Sequence, residues 1–321
     1  MPFPLGEWID AHDACRHNLG ISGMRGTVGH PRPTDAAVSR ADPEELRRAL
    51  ADRLGVEPGR VFLTPGASDA NGRVLFFLAR RTRRRAPRAR VRYPEYPPLF
   101  DSARWAGFHL DGTREHRPAT LALVSNPRNP EGDRWTEEEL LEWSRRADHL
   151  LVDETFREFA RAPSVHGLPR RGVWTTGSFT KYYAGDDLRV GFVVAPEEER
   201  DAFAEYHGLV ADQLSEYSVA GALATLQDRR IRSEIERVID RNRSAFRRAY
   251  LGRAPPVAPL FFDRSPRDGE RCAYRAIRSS VLVCPGGFFG DATGVRVCLT
   301  RRSFPEDLRA YLRVRGPPLS D

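Results

Sequence analysis

From residue 60 to residue 195, short apolar runs alternate with helix-like stretches, and this alternation constrains the fold more than any other feature. Residues 60–64 (RVFLT), 91–93, 121–125 (LALVS), 150–152, 173–178 and 190–195 (VGFVVA) read as strands. They are short, apolar and bounded by turn residues, as strands buried on both faces are. Helices are expected between them. Asp42 is a good N-cap, Pro43 fits the first turn, Glu45 completes a capping box and Gly55 stops that helix. Further helices are expected over 69–80 and 96–105, and from a capping box at Thr136–Glu139 to about residue 147. Strands alternating with capped helices predict an α/β protein, a three-layer α/β/α unit around a mainly parallel sheet. Beyond residue 202 the pattern changes. Helix follows helix to residue 250 with a break near 212–218, then short strands at 260–262, 281–283 and 295–299 precede a closing helix at 305–312. The expected division is a large domain over 41–214 and a smaller α+β domain formed by 1–40 with 215–321.

Charge and cysteine usage exclude several classes of protein. The net charge of +7 is carried by scattered arginines, and the one dense run, residues 80–92 (RRTRRRAPRARVR), has no interleaved aromatic residues. It reads as a solvated helix end and loop rather than a nucleic-acid surface. Cys15, Cys272, Cys284 and Cys298 are too dispersed for a metal site, and His12 and His17 are not at ligand spacing on a helix, so no metal is expected. Unpatterned cysteines suit a reducing compartment. The N-terminus (MPFPLGEWIDAHDAC) has neither a basic start nor an apolar core, so a signal peptide is not expected. No apolar stretch approaches the roughly 18–20 residues of a membrane span. A soluble, cytoplasmic protein is the expectation.

Within this arginine-rich chain there is one lysine, Lys181. A primary amine condenses with an aldehyde to form a Schiff base, and a guanidinium that stays protonated cannot take its place. Lys181 ends the string Gly177-Ser178-Phe179-Thr180-Lys181, just past an apolar run, with Arg189 eight residues on. This is the setting of a lysine that holds pyridoxal phosphate. The other polar candidates fall at the C-terminal ends of expected strands, the edge at which open α/β sheets bind ligands. Ala67 and Ser68 open a helix directly after a strand, so their N–H groups and the helix dipole favour a phosphate. Ser178 adds a hydroxyl and Arg189 a permanent charge. Asp153 follows Leu150-Leu151-Val152, where a carboxylate needs compensation such as a protonated pyridine nitrogen. Tyr96 is suited to stack on a flat ring, and Asn129 to donate to a ring oxygen from a stiff turn.

Five strings in this order, "TPGASDA" (64–70), "YPEYPPL" (93–99), "NPRNPEG" (126–132), "VDETFREF" (152–159) and "GSFTKYYAGDDLRVGF" (177–192), resemble the fold-type-I pyridoxal-phosphate enzymes of the aspartate aminotransferase superfamily. Within it the chain is most similar to the histidinol-phosphate aminotransferase and threonine-phosphate decarboxylase branch. The string "GVRVCLTRR" (294–302) looks like the family's substrate-arginine strand, and "RHNLGISGM" (16–24) like its substrate loop around Gly20. The resemblance implies pyridoxal phosphate bound through a Lys181 Schiff base, with Lys181 then serving as general base and acid. It implies Asp153 on the pyridine nitrogen, Asn129 on the ring hydroxyl and Tyr96 over the ring face. Ala67, Ser68, Ser178 and Arg189 fall to the phosphate, and Arg296 and Gly20 to the substrate. A homodimer acting on an amino acid and a 2-oxo acid is likewise implied, with His30 at the place of an aromatic that reaches into the neighbouring subunit's site. One departure stands out: Phe156 occupies a position where the family usually has tyrosine.

The first functional reading is therefore an aminotransferase. An amino-acid decarboxylase on the same scaffold is the second, because these motifs do not fix which bond at the α-carbon is held perpendicular to the ring. A non-catalytic pyridoxal-phosphate sensor is the distant third.

Overall fold

In the computed structural model, residues 4–82, 86–112, 117–211 and 213–315 are described. Local capping starts and stops the helices where the sequence indicates. Asp42 accepts a hydrogen bond from the Glu44 N–H (2.9 Å) and opens the helix Pro43–Leu54, which Gly55 ends at φ 70°. The expected reciprocal box with Glu45 is not the cap recorded here: the Glu45 N–H already donates to the Asp42 carbonyl at 3.1 Å. At Thr136 the box with Glu139 does form and opens Glu137–Ser144. That helix stops short of residue 147 because Ala147 begins a strand.

In chain order the strands are β1 (His17–Asn18), β2 (Val61–Thr64), β3 (Arg88–Val91), β4 (His109–Asp111), β5 (Ala119–Ser125), β6 (Ala147–Asp153), β7 (Val173–Ser178), β8 (Gly191–Val194), β9 (Leu260–Asp263), β10 (Val281–Leu282), β11 (Cys284–Pro285) and β12 (Val295–Cys298). Strands β2 to β8 form one sheet in the order β2-β8-β7-β6-β5-β3-β4, with β8 antiparallel to both of its neighbours and the other pairs parallel. This is the expected α/β architecture with a mainly parallel sheet. Successive residues of β5 serve opposite faces, as the pleat requires. Leu121 and Leu123 join Leu75 and Leu78 of the helix Ala67–Arg81, whereas Ala122 and Val124 join Leu140 and Trp143 of Glu137–Ser144. The sheet is thus sandwiched between two helical layers.

The arginine run departs from its sequence reading. Arg80 and Arg81 end the helix Ala67–Arg81, and residues 83–85 lie outside the described residues. Residues 88–91, however, are not solvated loop but a strand in the interior of the sheet. Arg88 pairs with Asp111 on the edge strand β4, which the sequence did not suggest. Arg90 is buried, donates to the Trp143 carbonyl at 2.8 Å and lies 4.4 Å over the Trp143 ring. Arginine enters this sheet because partners for its guanidinium come with it.

The helices Arg200–Val210, Glu216–Gln227 and Arg229–Ala249 fill the stretch read as helix after helix. The expected break falls between Ala211 and the N-cap Ser215, with residue 212 outside the described residues. The C-terminal third contributes the antiparallel sheet β11-β12-β9. The N-terminal segment docks on it: β1 pairs with β10, and the carbonyl of Leu19 accepts from the Cys298 N–H at 2.8 Å. A helix not anticipated from sequence, Pro4–Ala11, buries Leu5 and Trp8, and the Trp8 indole donates to the Val283 carbonyl at 2.8 Å. Among the described residues no helix is long and apolar enough to cross a membrane.

Candidate active site

Parallel strands deliver their last residues to one edge of the sheet, and here that edge is polar. Asp153 ends β6 beside Ser125 at the end of β5. The buried Asp153 carboxylate accepts from the Thr155 N–H at 2.9 Å and from the Asn71 amide at 2.8 Å, while Asn71 in turn accepts from Thr176 Oγ1 at 2.7 Å. No cation among the described residues pairs with Asp153. Sequence reasoning missed Asn71. Its signal was an amide on the apolar face of the helix Ala67–Arg81, next to Ala70 and Val74.

At the same edge, beyond β7 and β8, the chain turns from β2 into that helix through Gly66, whose φ is 98°. The turn packs tightly. A Cβ on Gly191 would lie 2.4 Å from the Gly66 carbonyl carbon, and one on Gly66 would lie 3.0 Å from an Arg189 nitrogen. The glycine cap offers no side chain, so the N–H groups of Ala67 and Ser68 have no acceptor among the described residues. Arg189 forms no ion pair or hydrogen bond with any described residue. An uncapped helix start and an unpaired guanidinium thus face one space.

Asn129 forms the opposite wall, with Arg296 behind it. Arg296 is 1 % exposed, yet its partners are all neutral: the Gly20 carbonyl at 2.9 Å, Asn129 Oδ1 at 3.3 Å and Cys284 Sγ at 3.5 Å. Its guanidinium lies 4.9 Å over the Phe289 ring, and its Nε is buried without a partner. No carboxylate among the described residues answers this charge.

Lys181 lies where two spaces meet. An inner cavity of about 100 Å³ is lined by Ala67, Ser68, Tyr96, Asn129, Asp153 and Arg189 among others, and an outer cleft of about 680 Å³ by Ile21, Arg25 and Arg301; Lys181 and Asp186 border both. The N-terminal segment closes on Lys181 from outside, the Met24 N–H donating to its carbonyl at 2.9 Å. Burial pulls the Lys181 ammonium below its ordinary value; Asp186 pulls it back, and Arg296 and Arg189 add to the lowering. Burial also pushes the Tyr96 phenol up to about 12, with Asp153 adding to the rise.

The structure therefore gathers Ala67, Ser68, Tyr96, Asn129, Asp153, Lys181 and Arg189 around one cavity, with Arg296 and Gly20 joined behind Asn129. Ser178 does not line this cavity. Its hydroxyl bonds Thr180 Oγ1 at 2.9 Å and borders a smaller neighbouring space, and Thr180 faces the cavity instead. Thr155, Phe156, Ser125 and Asp186 complete the lining. His30 is held by Asp187 at 2.6 Å and lines neither space.

The sequence profile of the family described as aminotransferase class I and II matches residues 34–306. The chain belongs to this family. It is a pyridoxal-phosphate-dependent aminotransferase of fold type I, an enzyme that transfers amino groups. It is 28 % identical over 294 residues to the histidinol-phosphate aminotransferase of Haloferax volcanii, spanning 83 % of this chain and 78 % of that protein. To the enzyme of that name from Symbiobacterium thermophilum it is 29 % identical over 336 aligned positions, spanning 88 % of this chain and 87 % of the other. Its fold is that of an aminotransferase from Mycobacterium tuberculosis (TM-score 0.78, 22 % identity, 98 % and 95 % of the two chains). It is also that of Thermus thermophilus aspartate aminotransferase (TM-score 0.77, 18 % identity, 97 % and 94 %).

The residues of this aminotransferase fit pyridoxal phosphate. The uncapped N–H groups of Ala67 and Ser68 with unpaired Arg189 suit a phosphate dianion, and a buried carboxylate without a cation at Asp153 suits a protonated ring nitrogen.

Proposed function

We propose that Lys181 carries the cofactor of this aminotransferase, that Asp153 balances its ring nitrogen, and that Arg296 binds the anionic group on the amino donor's α-carbon. The observation that carries this reading is the buried Arg296 guanidinium, which has neutral partners only and touches Asn129 on the wall of the cavity that holds Lys181. An amino donor whose carboxylate or phosphate ester meets Arg296 brings its α-carbon toward Lys181. Bound pyridoxal phosphate supplies an electron sink, which lets that carbon release a proton.

The remaining steps belong to side chains. Burial favours the neutral amine of Lys181, which would take the proton leaving the α-carbon and deliver it to the cofactor carbon that carries the substrate's nitrogen. Asn71 and the Thr155 N–H hold the Asp153 carboxylate in one orientation. Tyr96 supports the ring face. Ala67, Ser68 and Arg189 grip the phosphate, with Ser178 acting through Thr180. Phe156 brings a ring without a hydroxyl to the cavity wall, so donation to the ring oxygen falls to Asn129, whose Oδ1 is already committed to Arg296 and whose amide N–H₂ remains.

In the same reading, residues 41–214 form the large domain and 1–40 with 215–321 the small one. The enzyme works as a cytoplasmic homodimer. Support comes from four free cysteines and from exposed Leu209, Val210 and Tyr217 on neighbouring helices.

A single half-reaction tests the core of this. Protein loaded with pyridoxal phosphate is mixed with amino acids and with histidinol phosphate, the substrate in its relatives' name. Absorption and mass spectrometry then follow the products. Pyridoxamine phosphate and a carbonyl product are expected. Release of carbon dioxide and an amine would replace this reading with the decarboxylase.

A further inference from the structure

Glu95 lies in the turn between β3 and the helix Pro97–Trp105 and is 2 % exposed. Both of its carboxylate oxygens are used: they accept from the Tyr96 N–H at 2.7 Å, the Ser125 N–H at 2.8 Å and the Ser125 hydroxyl at 2.6 Å. Its own N–H donates to the Phe289 carbonyl at 3.0 Å. The Ser125 hydroxyl oxygen then accepts from the Asn129 N–H at 2.9 Å, and Asn129 Oδ1 accepts from Arg296 at 3.3 Å. Arg296 rests 4.9 Å over the ring of Phe289, which returns the path to Glu95. A closed ring of contacts thus runs through Glu95, Ser125, Asn129, Arg296 and Phe289.

Folding alone does not call for this carboxylate. No cation among the described residues pairs with Glu95, and an apolar side chain of similar volume is usually no worse in such a place. What a carboxylate offers is acceptor capacity: two oxygens take three donors at once, and a hydroxyl or an amide cannot. Those donors belong to Tyr96 and Ser125, the second of which fixes the turn bearing Asn129.

We infer that Glu95 is a positioning residue for both halves of the site, fixing Asn129 through Ser125 and holding Tyr96 against the Phe289 loop beneath Arg296. The inference rests on the assignment of Tyr96 and Asn129 to the cofactor. Glu95 touches neither cofactor nor substrate in this scheme. It sets the geometry of groups that do.

The test uses Glu95→Gln and Ser125→Ala in the full chain at pH 9, above the value of about 8 to which burial lifts the Glu95 carboxyl. Glutamine keeps the shape, but its N–H₂ must face one of the donors, either Tyr96 N–H or Ser125 N–H. The affinity for pyridoxal phosphate is expected to fall roughly tenfold, the equivalent of one hydrogen bond to a charged group. The visible band of the bound cofactor should titrate at a shifted pH, while thermal unfolding of the cofactor-free protein moves little. Ser125→Ala keeps Glu95 and should shift affinity and band in the same direction, and the double variant should lose less than the sum of the two. Wild-type affinity and band in either single variant, or strict additivity, would overturn the role of Glu95. Failure of the wild-type protein to take up pyridoxal phosphate would overturn the cofactor reading itself, so the two failures are distinct.

Discussion

Two arginines in the C-terminal third, the buried Arg296 and the partly buried Arg315, have opposite surroundings. Arg315 donates to Asp263 at 2.9 Å, and the same carboxylate accepts from Tyr250 and Tyr311 at 3.1 and 2.9 Å. Burial raises the Asp263 carboxyl, but the Ser265 contacts and Arg315 outweigh it and hold the group below its ordinary value. That charge is fully answered inside the protein. Arg296 is buried more deeply and is answered by carbonyls, a thiol and an aromatic face. In a chain whose 51 basic residues include a single lysine, arginine content says nothing about function. Place does: Arg90 too has neutral partners only, but it lies inside the sheet, whereas Arg296 touches Asn129 on the wall of the cavity that holds Lys181.

The contrast can be broken in several ways. The largest effect is expected at Lys181, where Lys181→Arg should keep the positive charge and the fold but abolish both the visible band with pyridoxal phosphate and all turnover. A variant retaining full activity would sink the mechanism. Next, Arg315→Leu should cost about 3–5 kcal/mol in urea unfolding, since it leaves the buried Asp263 uncompensated. The cofactor affinity of the protein that remains folded should not change. Arg296→Leu should do the reverse. Stability is expected to hold or rise, and kcat/KM for the amino donor to fall roughly 100-fold, as for loss of a charged hydrogen-bond partner. If Arg296→Leu unfolded the protein as Arg315→Leu does, the distinction between the two arginines would collapse. A smaller loss, about 1–3 kcal/mol, is expected for Asn71→Ala, which strips a partner from Asp153 and another from Thr176.

The last effect is a slope. Burial holds the Glu95 proton up to about pH 8 in the folded chain, whereas the unfolded chain releases it near 4.5. Between those values the folded state binds more protons, so this group makes stability fall as pH rises. Unfolding midpoints compared at pH 5.5 and 8.5 should show a decline in wild type that is reduced in Glu95→Gln.

Much of the fold was legible because local rules and tertiary demands agree over residues 41–195. Asp42, Gly55 and Thr136 cap helices where their side chains can reach free N–H groups or a left-handed turn is needed. Strand β3 was misread because its arginines look solvated in sequence, and only Trp143 and Asp111, brought from 53 and 23 residues away, make them tolerable inside a sheet. The helix Pro4–Ala11 was missed for a related reason: its apolar face means little until Val283 and its neighbours are there to cover it.

The sequence by itself determined the α/β class, the order of the site strings and the candidacy of Lys181, because strand alternation, capping and amine chemistry are local properties. The tertiary structure alone decided which charges go unanswered. Asn71 beneath Asp153, Glu95 behind Asn129, Thr180 rather than Ser178 on the cavity wall and the neutral partners of Arg296 all depend on contacts between segments far apart in the chain. Hydrogen bonding acts over a few ångströms in space and is indifferent to separation in sequence, so no local pattern could have supplied them.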